Sequence, residues 1–404
     1  MLLSYTDQTE RPMTEKPHHR LNTLVVTAGR EPEANFGYVS PPVFHGSTIL
    51  HPTVKVLKTR GQPYTYGRRG SPTISALQKA ITALEGGHNT VLAPSGLSAV
   101  STALIAHLKA GDHLLMVDTV YGPTRDFCDK LLTRMGVKVE YYDPRIGAEI
   151  AGLMKPDTAV VFVESPGSNS FEIQDIPAIA AAAHANGAIV IADNTYGAGY
   201  YCKPLALGAD ISVQAVTKYL CGHSDVLMGS ITTNEATWGE TLFRHGAMGQ
   251  TVAPDDVYLV LRGIRTLGVR LERHMATGLA LARWLETRPE VAQVIHPALE
   301  SHPDHALWRR DFRGACGLFS FVFKPEISDE AIAAMLDGMD LMGMGYSWGG
   351  FESLIIPQDL KHNRSVTSGD FGGQLLRIHA GLEDAADLLA DLEAGFARLN
   401  ATVE

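Results

Sequence analysis

The sequence predicts an α/β protein with a mainly parallel sheet wrapped by helices, a smaller α+β unit after it and an extended arm before it. Three observations carry this. From about residue 70 to 265, short apolar runs alternate with Ala/Leu-rich helical windows, the pattern of βαβ units. Beyond residue 256 a long amphipathic window gives way to alternating strands. Up to about residue 65, Pro12, Pro17, Pro32, Pro41, Pro42, Pro52 and Pro63 break any helical period. The 404 residues exceed the ~100–200 of one domain. The chain is accordingly divided into an arm over 1–68, a sheet domain over 69–264 and a C-terminal domain over 265–404.

Taken in order, the arm cannot bury itself, so it must lie on its own body or on a neighbouring subunit. The sheet domain supplies the runs "TVLAP", "HLLMVD", "AVVFVE", "AIVIAD", "ISVQAV" and "MGSITT". The amphipathic window over 256–287 leads to strands such as "GLFSFVF" and "LLRIHAG", and a last helix starts near Glu383. No internal repeat or low-complexity tract is present.

Composition narrows the function. A net charge of -10 argues against nucleic acid, whose phosphates demand a basic face, and leaves a small molecule as the expected partner. Cys128, Cys202, Cys221 and Cys316 form no CxxC pair and read as reduced thiols. The first twenty residues hold no sustained apolar stretch, and no run of about 18 apolar residues occurs, so no membrane segment and a cytoplasmic location are expected. His18 and His19 have no further ligand near them in sequence, and no metal site is expected.

Open α/β sheets bind ligands beyond the carboxyl ends of their strands, and several strand ends here are chemically loaded. In "VLAPSGLSAVSTALIAHL", Ser95, Gly96 and Leu97 stand at the mouth of a helix, where free N–H groups favour an anion; Ser95 could equally be a plain cap. The segment matches neither G-x-G-x-x-G nor G-x-x-x-x-G-K-[ST], so a small phosphate fits better than a dinucleotide or triphosphate. Asp193 closes "AIVIAD", where a carboxylate needs either a structural salt bridge or a ligand cation. Lys218 follows "ISVQAV" and either snorkels to solvent or acts as an amine of lowered pKa. Asp193 and Lys218 end successive apolar runs. That is the arrangement of a pyridoxal phosphate site, with an acid for the ring nitrogen and a lysine for the Schiff base. Tyr121, just past "LMVD", could cover a flat cofactor or simply pack.

"DISVQAVTKYLCGHSD" closely resembles the lysine signature of the Cys/Met-metabolism pyridoxal phosphate enzymes. The resemblance extends in order through "YTYGRRGSPT", "LEGG", "PSGLSAV", "DTVYGP", "ESPGS", "DNTY", "RGIRTLGVRLERH", "YSWGGFESL" and "RIHAGLED", nearly everything after about residue 35. It implies the seven-stranded PLP-transferase fold of aspartate aminotransferase (fold type I) and pyridoxal 5'-phosphate as cofactor. Lys218 would hold the cofactor, Asp193 its ring nitrogen, and Gly96, Leu97 and Thr217 its phosphate, joined by Tyr66 and Arg68 of a neighbouring subunit. Tyr121 would stack on the ring; Arg377, with Ser347, Trp348 and Tyr346, would receive the substrate. Taken alone, Arg377 could instead pair with Glu383 or Asp384. The catalytic set implied is Lys218, Tyr121, Asp193 and Tyr66.

The forms "ESPGS" and "YSWGG" resemble the bacterial branch of the family that cleaves L-cystathionine by β-elimination, a step of methionine synthesis. Homotetramers, as dimers of dimers with shared sites, are implied. Cleavage or synthesis at the γ-carbon, a broader cysteine-S-conjugate β-lyase activity and a regulatory PLP-binding role are the alternatives. Two residues depart from the pattern: Val216 replaces a small residue, and Tyr196 replaces tryptophan.

Overall fold

The computed structural model describes residues 19–402. His18, Pro12 and Pro17 lie outside the described residues. The arm begins with α1 (Leu21–Thr27), which buries Val25, and Arg265 donates to the carbonyls of Val25 and Ala28, tying this stretch to its own body. A short helix, α2 (Val54–Thr59), starts where the Thr53 hydroxyl accepts from the Val56 N–H. Between and around these helices Phe36, Tyr38 and Leu50 stay largely exposed.

Next come α3 (Pro72–Glu85), β1 (Asn89–Ala93), α4 (Gly96–His107), β2 (His113–Val117), α5 (Gly122–Phe127), β3 (Lys138–Tyr142), β4 (Thr158–Glu164), α6 (Ile176–Ala185), β5 (Ile189–Asp193), β6 (Ile211–Ala215) and β7 (Gly229–Thr233). The seven strands form one sheet in the order β1-β7-β6-β5-β4-β2-β3. Only β7 runs antiparallel to its neighbours β1 and β6; the other pairs are parallel. All six apolar runs are strands. The seventh, β3, escapes a search for apolar runs because "KVEYY" lies at the sheet edge with four of its five residues at least partly exposed.

After α7 (Glu235–Ala247), the amphipathic window divides into α8 (Pro254–Ile264) and α9 (Leu267–Glu286). Then follow β8 (Val291–Ile295), α10 (His305–Asp311), β9 (Leu318–Phe323), α11 (Asp329–Asp337), β10 (Leu354–Gln358), β11 (Leu375–His379) and α12 (Ala385–Ala401). The four strands make a second, wholly antiparallel sheet, β10-β11-β9-β8. Its apolar face packs against α9, α11 and α12 through Phe319, Phe321, Phe323, Leu376 and Ile378, all fully buried. Burial of such side chains, at roughly 25 cal/mol per Å² of apolar surface, is what holds each layer.

A clamp ties the two sheets together. Asp118, just past β2, is fully buried and accepts from the backbone N–H groups of Ser365, Val366 and Thr367 and from the Arg125 guanidinium. These bonds outweigh burial and hold its carboxyl down at about 2. The segment before β11 is thereby fixed beside the carboxyl ends of the parallel strands.

Candidate active site

The parallel strands end in a cleft of about 430 Å³, whose opposite wall is β11 and the segment carrying Tyr346, Ser347 and Trp348. Lys218, Asp193, Gly96, Leu97, Thr217, Tyr121, Arg377, Ser347, Trp348 and Tyr346 all line it. The sequence scatters these residues over 282 positions (Gly96 to Arg377, inclusive) and the fold gathers them.

Lys218 follows β6 by three residues, and its Nζ donates to the Ser347 hydroxyl across the cleft. Burial, with the Arg377 charge adding to it, lowers the ammonium pKa to about 8, against a partial opposing pull from Asp193. Neutral amine is therefore available near neutrality. Asp193 ends β5; its Oδ1 accepts from the Thr195 N–H at 2.9 Å and the Thr195 hydroxyl at 2.5 Å. Burial raises its pKa despite these bonds. No described residue bonds to Oδ2, which is left for a ligand cation.

At the mouth of α4 the Ser95 hydroxyl caps the Ser98 N–H at 3.1 Å, so the capping reading of Ser95 holds. Ser95, Gly96 and Leu97 at this helix start line the cleft, where a helix start offers backbone N–H groups without an intrahelical partner. Gly96 sits so close to β6 that a Cβ there would meet the Ala215 Cβ at 2.6 Å; a larger residue would push the helix mouth away. Thr217, beside it, exchanges hydrogen bonds with the Met228 backbone.

Arg377 is buried on β11 and donates to the Ser347 carbonyl at 3.0 Å, while its Nε has no partner. Its alternative partners are engaged elsewhere: Asp384 pairs with Arg273, and Glu383 accepts from Ser353. No carboxylate of the described residues reaches Arg377 within ion-pair distance, and burial lowers its pKa to about 10. A buried guanidinium left this way calls for an anion.

Tyr66 and Arg68 do not line this cleft. Tyr66 is half-exposed, and Arg68 donates to the Gly246 carbonyl at 2.8 Å. Val216 is fully buried, and Tyr196 packs edge-on between Phe171 and Phe312 at the cleft floor. Among the described residues no group of three or more His, Cys, Asp or Glu is placed to hold a metal ion.

Sequence reasoning missed Glu164. It ends β4 directly opposite Asp193, lines the cleft, and its Oε2 accepts from the Tyr121 N–H at 2.8 Å. Burial, with Asp193 adding to it, pushes its pKa well above the usual carboxylate range. The signal was available: "AVVFVE" ends in a carboxylate just as "AIVIAD" does.

A family model described as "Cys/Met metabolism PLP-dependent enzyme" matches residues 22–397. "Cystathionine beta-lyase MetC" of Escherichia coli (strain K12) is 44% identical over 390 residues, covering 94% of this chain and 99% of that protein. "Cystathionine beta-lyase" of Salmonella typhimurium (strain LT2) is 44% identical over 398 residues, covering 96% of this chain and all of that protein (100%). The solved structure of metB from Corynebacterium glutamicum superposes with a TM-score of 0.87 at 32% identity, covering 96% of this chain and 99% of that one.

Proposed function

Because the chain belongs to the Cys/Met-metabolism PLP-dependent enzymes, we propose that it cleaves the Cβ–S bond of L-cystathionine to release homocysteine and a three-carbon fragment that one water hydrolyses to pyruvate and ammonia. The observation that carries this reading is the pairing, in one cleft, of a lysine with pKa near 8 and a buried arginine with no carboxylate partner. The relatives named above point to the same substrate.

The residues fit pyridoxal phosphate. The α4 mouth at Gly96 and Leu97, with Thr217, would hold its phosphate; Asp193 Oδ2 would face the ring nitrogen, and Tyr121 would cover the ring. When bound, the cofactor supplies a sink for the negative charge that develops at the substrate Cα. The remaining work belongs to the chain. Arg377, with Ser347, binds the α-carboxylate in bidentate fashion and sets the Cα–H bond towards Lys218. The Lys218 amine takes that proton, and the resulting ammonium returns it to the departing sulfur. Tyr121, whose hydroxyl burial holds above its ordinary pKa, stays neutral and shields the site. Trp348, whose ring centroid lies 5.4 Å from Lys218 Nζ, and Tyr346 shape the pocket beside the carboxylate and favour cleavage at Cβ over the γ-carbon.

Residues 69–264 then form the cofactor-binding domain and 265–404 the substrate-side domain. Tyr66 and Arg68 act in a neighbouring subunit's phosphate cup within a homotetramer of the cytoplasm. The test is to incubate the purified protein with L-cystathionine and identify the products. Pyruvate with homocysteine is expected; 2-oxobutyrate with cysteine, or no keto acid at all, refutes the reading.

A further inference from the structure

Arg377 and His379 are two residues apart on β11, so both side chains leave the same face of the strand. Both meet the segment that carries the substrate residues. Arg377 donates to the Ser347 carbonyl, and the Gly349 N–H donates to His379 Nε2 at 3.1 Å. This segment is under strain. Ser347 holds φ +73°, a left-handed conformation uncommon for a residue with a side chain. Gly349, at φ +87°, is pressed so closely on the lysine segment that a Cβ would stand 3.0 Å from the Lys218 carbonyl carbon and the Tyr219 nitrogen. A backbone in that state keeps its place only if its surroundings hold it.

His379 is fully buried, and so is His274 behind it, with ring centroids 5.2 Å apart; the Tyr219 ring packs against both. His274 Nδ1 lies 2.7 Å from the Ala380 carbonyl, which fixes the proton on that nitrogen and leaves Nε2 an acceptor. Accepting from Gly349 places the His379 proton on Nδ1; the same Nε2 stands 3.2 Å from the Gly350 carbonyl, to which it donates in the other tautomer, so both tautomers grip this segment. His379 Nδ1 and His274 Nε2 are both buried without a protein partner. Burial depresses the pKa of both imidazoles, to about 3 for His379 and about 4 for His274, so the arrangement is neutral at any working pH.

We propose that His379, backed by His274, is a positioning residue that holds Ser347, Trp348 and Gly349 against Lys218 and so sets the substrate carboxylate site. The inference rests on the lyase reading above but can fail separately from it. His379→Leu removes the acceptor; His379→Gln places an amide oxygen near the Nε2 position and should restore it. For His379→Leu, the KM for L-cystathionine should rise about tenfold with a smaller change in kcat, since one buried backbone donor is left unpaired. Deuterium uptake of the peptide spanning 345–352 should quicken, while the cofactor absorbance band is retained. His379→Gln should return KM to within about threefold of wild type and restore protection.

A wild-type KM and uptake in His379→Leu, or a His379→Gln protein as impaired as the leucine variant, overturns the proposal. Should His379→Leu not fold, His274→Leu decides, because it leaves the Gly349 bond and removes only the backing. A raised KM and faster uptake support positioning, and unchanged values overturn it. If the wild-type protein does not cleave L-cystathionine at all, the lyase reading fails while the uptake result still judges the contact.

Discussion

Lys218 sits where two requirements meet: near enough to water to exchange a substrate, buried enough to shed its proton. Burial and the Arg377 charge bring its pKa from 10.5 to about 8, so the neutral amine is half-populated some two and a half pH units earlier than in an exposed lysine. In cofactor-free protein, labelling of Lys218 by an amine-directed reagent should therefore rise through pH about 8, as read by peptide mass spectrometry. A midpoint near that of the surface lysines would reject the assigned environment. Lys218→Ala should cut turnover by roughly 10²–10⁴-fold or more, with no loss in melting temperature, because the site removed is a costly buried cation. At this scale the sequence was informative where a polar residue closes an apolar run, as at Asp193 and Lys218. Glu164 obeys the same rule, yet its meaning depends on standing opposite Asp193 in the sheet register, and register between β4 and β5 is a property of the assembled sheet. The partners of Arg377 were equally hidden, since Glu383 and Asp384 are near in sequence but bonded elsewhere.

Elements also meet through one more buried carboxyl. Glu85 ends α3, is almost wholly buried, and accepts from Asn194 just past β5 and from Gln214 on β6. Burial raises its pKa from 4.5 to about 7, outweighing those bonds. The folded protein thus binds this proton more tightly than the unfolded chain. The stability it contributes is fully present below about pH 4.5 and is lost as the pH rises through about 7, a swing of ~3 kcal/mol. Glu85→Gln keeps the amide-like shape without the charge. Its melting temperature should fall less than that of wild type as the pH rises from about 4.5 to 7; parallel curves for the two proteins over that range would exclude the assignment. The fully apolar strands were legible as runs because both of their faces are covered. The edge strand β3 was not, since its solvent-side residues interrupt the run. "LEGG" shows a glutamate at a helix end, where exposure is the ordinary expectation, and nothing local reveals that β5 and β6 close over it.

The described chain leaves apolar side chains uncovered in one region above all. Phe36, Tyr38 and Leu50 are 93%, 70% and 85% exposed, on a stretch whose prolines prevent it from folding onto itself. Arg68, at the end of that stretch, reaches Gly246 of its own chain and not its own cleft. The sequence foretold an arm seeking a surface, but which surface is not written in one chain. If a second copy covers the apolar arm and brings Arg68 to the start of its own α4, an anion bound there would make the guanidinium worth far more than at a solvent-exposed site. Mixing two inactive proteins separates the cases. Lys218→Ala lacks the amine, and Arg68→Ala lacks the guanidinium. If Arg68 serves a neighbouring cleft, a hybrid dimer holds one cleft with both wild-type residues and one with neither. Random pairing of equal amounts makes half the dimers hybrids, so roughly a quarter of the wild-type activity should return on co-refolding. If Arg68 serves its own chain, every cleft in every hybrid lacks one group, and activity stays at the level of the separate variants. Recovery at that fraction, scaling with the hybrid population as the mixing ratio is varied, is the expected result; its absence in properly assembled hybrids rejects the shared site.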